Sequence, residues 1–119
     1  MKRILATASL LGVALTAAGA APAFAADATI PLRSSTGVLI GKATWDDSHD
    51  TLCVRSYIKG RKVTATLSLL DGSWGPVNVS DSGYDTTFNC TGNLSIPEDR
   101  RAFLIIGDSN RSTDGTFYT

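Results

Sequence analysis

The sequence predicts an all-β fold: an antiparallel β-sandwich, or a small barrel, of seven to eight strands with one disulfide, following a cleaved helical signal peptide. Three observations carry that expectation. Beyond residue 25 no stretch sustains the apolar period of a helix; what recurs is alternation by two, broken by Gly, Asp, Asn and Pro. The alternating stretches recur about every ten residues, the spacing of sandwiches and small barrels. The only two cysteines, Cys53 and Cys90, both lie in this part of the chain.

The first segment is read as an address. Lys2 and Arg3 give a short positive start, Ile4 to Ala21 follow without a charge, and Ala23-Phe24-Ala25 puts small residues at both positions a signal peptidase inspects. Residues 1–25 are therefore expected to be a secretory signal peptide, cut between Ala25 and Ala26, with residues 26–119 as a single secreted domain outside the cell. An uncleaved anchor fits less well, because Thr7, Ser9, Gly12, Thr16 and Gly19 dilute the run and Pro22 breaks it. No other run is long and apolar enough to span a bilayer, so no membrane association is expected after cleavage.

Removing 25 of the 119 residues leaves 94. Lys2 and Arg3 leave with them, so eleven basic and eleven acidic residues become nine and eleven, a net charge of −2. That is too near balance to point to nucleic acid or an anionic membrane. A domain of this size buries only about 60–65% of its unfolded surface. In an oxidising compartment Cys53 and Cys90 read as a disulfide that reinforces this modest core. In the chain-entropy model its closure is worth roughly 4 kcal/mol. A redox pair would want a shorter spacing, and a zinc site more ligands.

The elements follow in order. Thr29 to Arg33 is a short first strand, with Pro31 suited to an edge. In Gly37 to Trp45, Leu39, Gly41, Ala43 and Trp45 are expected to share one side and Val38, Ile40, Lys42 and Thr44 the other. Asp46 to Asp50 is an acidic turn. Thr51 to Ile58 is a strand with Leu52, Val54 and Ile58 facing one way and Cys53, Arg55 and Tyr57 the other, so the bridge is expected beside the core rather than in it. Lys59-Gly60-Arg61-Lys62 reads as a hairpin turn. Val63 to Leu69 alternates most cleanly, with Thr64, Thr66 and Ser68 outward. Asp71 to Pro76 is a loop, Val77 to Ser80 a brief strand, Tyr84 to Cys90 an extended stretch, and Asn93 to Ile96 another short strand. Ala102 to Gly107 is nearly all apolar and reads as a strand buried on both faces. Asp108 to Gly115 reads as a polar loop and Thr116 to Tyr118 as a closing strand.

The pattern resembles an immunoglobulin-like sandwich in architecture. It departs from that family in its cysteine spacing, and the nearest Trp after Cys53 is Trp74, in a Gly-Pro loop. The signal and layout also resemble small uncharacterised secreted proteins of actinobacteria, a resemblance that implies no activity.

Ser48-His49-Asp50 holds the residue types of a hydrolase triad, but a triad is a spatial relay assembled from separated segments, and no nucleophile elbow accompanies these three. His49 is the only histidine. No enzymatic activity, cofactor or metal is therefore expected. Asp46, Asp47 and Asp50, and Asp108, Asn110 and Asp114, carry oxygen ligands of the kind calcium takes, yet Asp and Asn also shape turns through their own backbone. Lys59, Arg61 and Lys62 form a basic tip able to meet an anionic wall polymer or an acidic protein patch. Trp74, with Tyr84 after it, is either an exposed stacking group or a lid folded over the core; Trp45 is expected in the core. The reading is a monomeric, non-enzymatic module binding an extracellular protein or a cell-wall glycan, with Trp74, Tyr84, Lys59, Arg61 and Lys62 as the residues to test. The alternative is a secreted inhibitor or toxin-like protein presenting Asp108 to Gly115 to an extracellular hydrolase or competitor.

Overall fold

A computed structural model of the chain describes residues 25–119. The expected signal peptide lies outside the described residues except for Ala25; Ala25 and Ala26, the expected cleavage point, are exposed and precede the first strand. Eight strands follow: β1 (Ala28–Arg33), β2 (Leu39–Asp46), β3 (Thr51–Ser56), β4 (Val63–Leu69), β5 (Val77–Asp81), β6 (Asn89–Cys90), β7 (Arg101–Gly107) and β8 (Ser112–Tyr118). They form two four-stranded sheets, ordered β1-β2-β3-β6 and β5-β4-β7-β8, with every pairing antiparallel. The all-β sandwich expected from alternation is what forms. Immunoglobulin constant domains order their sheets ABED and CFG and bridge them with a disulfide; here β1, β2 and β3 are consecutive neighbours and the disulfide stays within one sheet.

Period-two burial builds the core. Leu52 and Val54 of β3, Val63, Ala65, Leu67 and Leu69 of β4, and Ala102, Leu104 and Ile106 of β7 are all buried between the sheets. Trp45 is buried with them, its ring centroid 5.6 Å from that of Phe117. Gly41 faces the opposite sheet so closely that a Cβ there would meet Val63 Cγ1 at 2.9 Å, which is why the strand carries no side chain at that point.

Several elements differ from expectation. Ile40 is buried rather than outward, because Leu32 pairs with Gly41 and Arg33 with Leu39, leaving Ile40 as the extra residue of a bulge that turns it inward. β7 is not buried on both faces: Phe103 and Ile105 lie half-buried on the outer face, opposite Ser68 and Thr66 of β4. β8 starts at Ser112, so the polar loop shrinks to Asp108–Arg111. Asn93 to Ile96 is not a strand. Ser95 has a φ of 50°, its amide donates to Asn93 Oδ1 at 2.8 Å, and Ile96 is buried in the core with Leu94 packed partly buried against it. Of the stretch from Tyr84, Asn89–Cys90 alone pairs as strand, while Asp85 closes a turn by accepting from the Thr87 amide at 3.0 Å.

The most consequential difference concerns residues 57–62. They are not a hairpin but the arch by which the chain leaves the first sheet for the second, since β3 and β4 belong to different sheets. Hydrogen bonds to the end of β5, one of them buried, fix the arch. The Ser56 amide donates to Asp81 Oδ2 at 2.7 Å, and the Gly60 amide donates to the Ser82 carbonyl at 2.8 Å. Gly83, with a φ of 78°, lies so close that a Cβ would stand 2.5 Å from the Ile58 carbonyl oxygen.

Residues 82–100 cross in the other direction, from β5 of the second sheet to β6 on the first and back to β7. Cys53 and Cys90 face each other across β3 and β6 and are joined as a disulfide, on the outer side of the sheet as the alternation implied. The Leu52 amide donates to Thr91 Oγ1 at 3.0 Å, and the Leu94 amide to the Asp50 carbonyl at 2.9 Å, extending the attachment beyond the short ladder. A disulfide in a small all-β domain is consistent with an oxidising, extracellular setting.

Candidate functional site: a basic groove at one end of the sandwich

Strand direction decides which loops meet. β3, β5 and β7 all run toward one end, where the 57–62 arch, the start of the 82–100 segment and the 108–111 turn lie side by side. Lys59, Arg61 and Lys62 therefore face Asp108 and Ser109 across a groove of about 740 Å³. Thr64, Thr66 and Ile105 line it from the outer face of β4 and β7, with Thr66 and Ile105 paired in register. The Thr64 hydroxyl is 2.7 Å from that of Ser80, and Thr66 Oγ1 donates to Asn78 Oδ1 at 2.7 Å. Tyr84, 73% exposed, stands at this end too, its hydroxyl 3.5 Å from where a Cβ on Gly60 would be.

Asp108 is the unusual member. Its side chain is only 1% exposed, yet it is a carboxylate. Oδ1 accepts from the Asn110 and Arg111 amides at 2.8 and 2.9 Å, which closes the β7–β8 turn. Oδ2 has no hydrogen-bond partner; its nearest cation is Arg61 Nη1 at 3.6 Å. Burial pushes the Asp108 carboxyl up, but the two amides and the Arg61 and Arg111 charges outweigh it and hold it below the ordinary carboxylate range. The group is thus a buried anion beside a guanidinium that remains 40% exposed.

The structure brings together four of the five residues singled out from sequence, namely Tyr84, Lys59, Arg61 and Lys62. Trp74 lies at the opposite end, in the β4–β5 connection, half-buried against the core, with its carbonyl accepting from the Leu69 amide at 3.0 Å. That is the lid geometry. The contributions of Asp108, Thr64, Thr66 and Ile105 were missed. Thr64 and Thr66 were legible as outward strand positions, but no sequence signal says that β7 lies beside β4 or that its turn reaches the arch.

The Ser48-His49-Asp50 turn does not form a relay. Ser48 Oγ and Asp46 Oδ2 both lie 2.9 Å from the same ring nitrogen, His49 Nδ1, whereas a relay needs its nucleophile and acid on opposite nitrogens. His49 is 75% exposed. Hydrogen bonds from Ser48 and His49 hold the Asp46 carboxyl below its usual range, so this carboxylate is engaged in closing the turn. Among the described residues no three metal-ligating side chains lie together.

Fold and site together define a two-sheet antiparallel sandwich with a basic groove at one end. The chain matches no family model, no curated protein and no solved structure.

Proposed function

We propose that this chain is a small secreted, non-enzymatic binding module that meets an extracellular protein or a cell-wall glycan through its basic end. The observation that supports this reading is the convergence of Lys59, Arg61 and Lys62 on one groove, with an exposed Tyr84 at the same end beside Gly60. Exposed aromatics and cations that are not used internally are the groups that anchor partners. The disulfide and the signal-like N-terminus favour an extracellular site of action. The alternative, an inhibitor presenting Asp108 to Gly115, is left with a four-residue turn, because the rest of that segment is strand.

The test is retention of the secreted protein on a cell-wall fraction, compared with its Thr66→Trp variant. Thr66 points outward, so Trp fills the groove without entering the core. Retention is expected to weaken about tenfold, equivalent to roughly 1.4 kcal/mol. Unchanged retention would remove the groove from the reading.

A further inference from the structure

Resting on that reading, we infer that the groove takes an acidic glycan, a polyhydroxyl chain bearing carboxylates, and that Asp108 positions Arg61 to receive it. Charge is the first argument. The mature chain is slightly acidic, yet its charges are sorted by end. Arg33, Lys59, Arg61, Lys62 and Arg111 gather at the groove end against Asp81, Asp85 and Asp108, with Arg55 close enough to Asp85 to lower its carboxyl. Asp46, Asp47, Asp50, Asp71, Glu98 and Asp99 lie at the other end against Arg100 and Arg101. The Glu98 carboxyl is pushed up by burial and then by Asp50, Asp47 and Asp99, as a negative end requires. Lys59 and Lys62 form no ion pair among the described residues, so their charges remain available.

Arg61 supplies geometry. With Nη1 3.6 Å from the Asp108 carboxylate, the guanidinium lines the groove and stays 40% exposed, and its planar fork matches a carboxylate better than a lysine does. A buried anion without a full set of hydrogen bonds is costly to maintain. Here it sits where it restrains Arg61, the arginine that lines the groove.

The floor favours sugar over a bare polyanion. Thr66 donates its proton to Asn78 and so keeps an accepting lone pair, Thr64 shares one hydrogen bond with Ser80, and Ser109 lies at the rim. Ile105, opposite Thr66 on the neighbouring strand, adds apolar surface to the floor, and the Tyr84 ring at the same end can stack on a sugar face.

The experiment measures binding of the secreted protein to polygalacturonate, with neutral dextran and polyphosphate as controls, at low and high salt. Polygalacturonate should bind, dextran should not, and affinity should fall as salt screens the charges. The Lys59→Ala/Lys62→Ala double variant should bind about tenfold more weakly. Asp108→Asn discriminates further. It keeps an oxygen for the two turn amides but frees Arg61, so a positioning role weakens binding, whereas a purely electrostatic one strengthens it. Arg61→Lys should not restore full affinity, because the fork is lost. Equal affinity for polyphosphate would overturn the glycan assignment, and stronger binding by Asp108→Asn would overturn the positioning role. No binding to polygalacturonate, with wall retention still weakened by Thr66→Trp, would overturn the acidic ligand while leaving the groove as the site.

Discussion

The two ends of the sandwich treat their polar residues in opposite ways. At the end carrying the Asp46–Asp50 turn, side chains are used up locally. Asp46 holds Ser48 and His49, Asp71 holds Ser73 and pairs with Arg100, and Thr119 Oγ1 donates to the Pro97 carbonyl at 2.6 Å. Trp74 covers the core beside them. At the groove end, two lysines lack partners, Tyr84 stands in solvent and a carboxylate is buried beneath an arginine. The first end is closed by its own chemistry; the second leaves contacts to be completed from outside. A mutation at the closed end should therefore be read in stability and one at the groove in binding.

The largest effect expected on stability comes from the segment that joins the ends. Residues 82–100 leave the groove end at Ser82 and reach the closed end at Arg100, and the Cys53–Cys90 bridge pins them midway. Replacing both cysteines by Ala should lower unfolding free energy by roughly 4 kcal/mol, read as a shift in denaturant midpoint. A loss below about 1 kcal/mol would assign the anchoring to the Thr91 and Leu94 hydrogen bonds instead. Trp74→Ala comes next. Full burial of a Trp would cost about 3–5 kcal/mol on truncation, so the half-buried lid should cost about 2 kcal/mol. Wall retention should stay unchanged; its loss in a folded Trp74→Ala protein would move the binding surface to the wrong end for the present reading.

What was legible in the sequence follows the same division between regular and crossing segments. β3 and β4 alternate strictly, so their buried and outward residues could be assigned from spacing alone, and the placement of Cys53 outside the core came with them. Alternation says nothing about which sheet a strand joins. The short Lys59–Lys62 link looked like a hairpin because its length and its glycine suit one; the bonds that make it an arch, from Ser56 to Asp81 and from Gly60 to Ser82, span a sequence distance no local pattern reports. The same limit hid Asp108. As Asp-Ser-Asn-Arg it reads as turn chemistry, which it is through Oδ1, while its second role depends on β7 ending beside the arch. Ile40 was misassigned for a smaller reason: one bulged residue reverses the parity of everything before it.

The smallest expected effect compares one carboxylate from each end. Asp71 titrates near 2, held down first by the Ser73 hydroxyl, then by the Ser73 amide and by Arg100. In the unfolded chain the same group titrates at about 3.9. The folded protein therefore binds this proton less readily, so the contribution is fully present above about pH 4 and is lost as pH falls through about 2. Asp71→Asn should flatten the fall in stability between about pH 4 and pH 2, measured by denaturant midpoint, but only slightly, because the group is exposed and water screens its partners. Asp108 has a lowered folded value as well, so the sign is the same. Its carboxylate is buried, and protonating it also removes the charge that restrains Arg61. Acid should weaken groove binding in wild type through the ligand's own carboxylates and through Asp108, and the share that disappears in Asp108→Asn belongs to Asp108, while Asp71→Asn leaves the pH dependence untouched. If Asp71→Asn alters binding and Asp108→Asn does not, the two ends are coupled through the 82–100 segment, and the division between a closed end and a binding end fails.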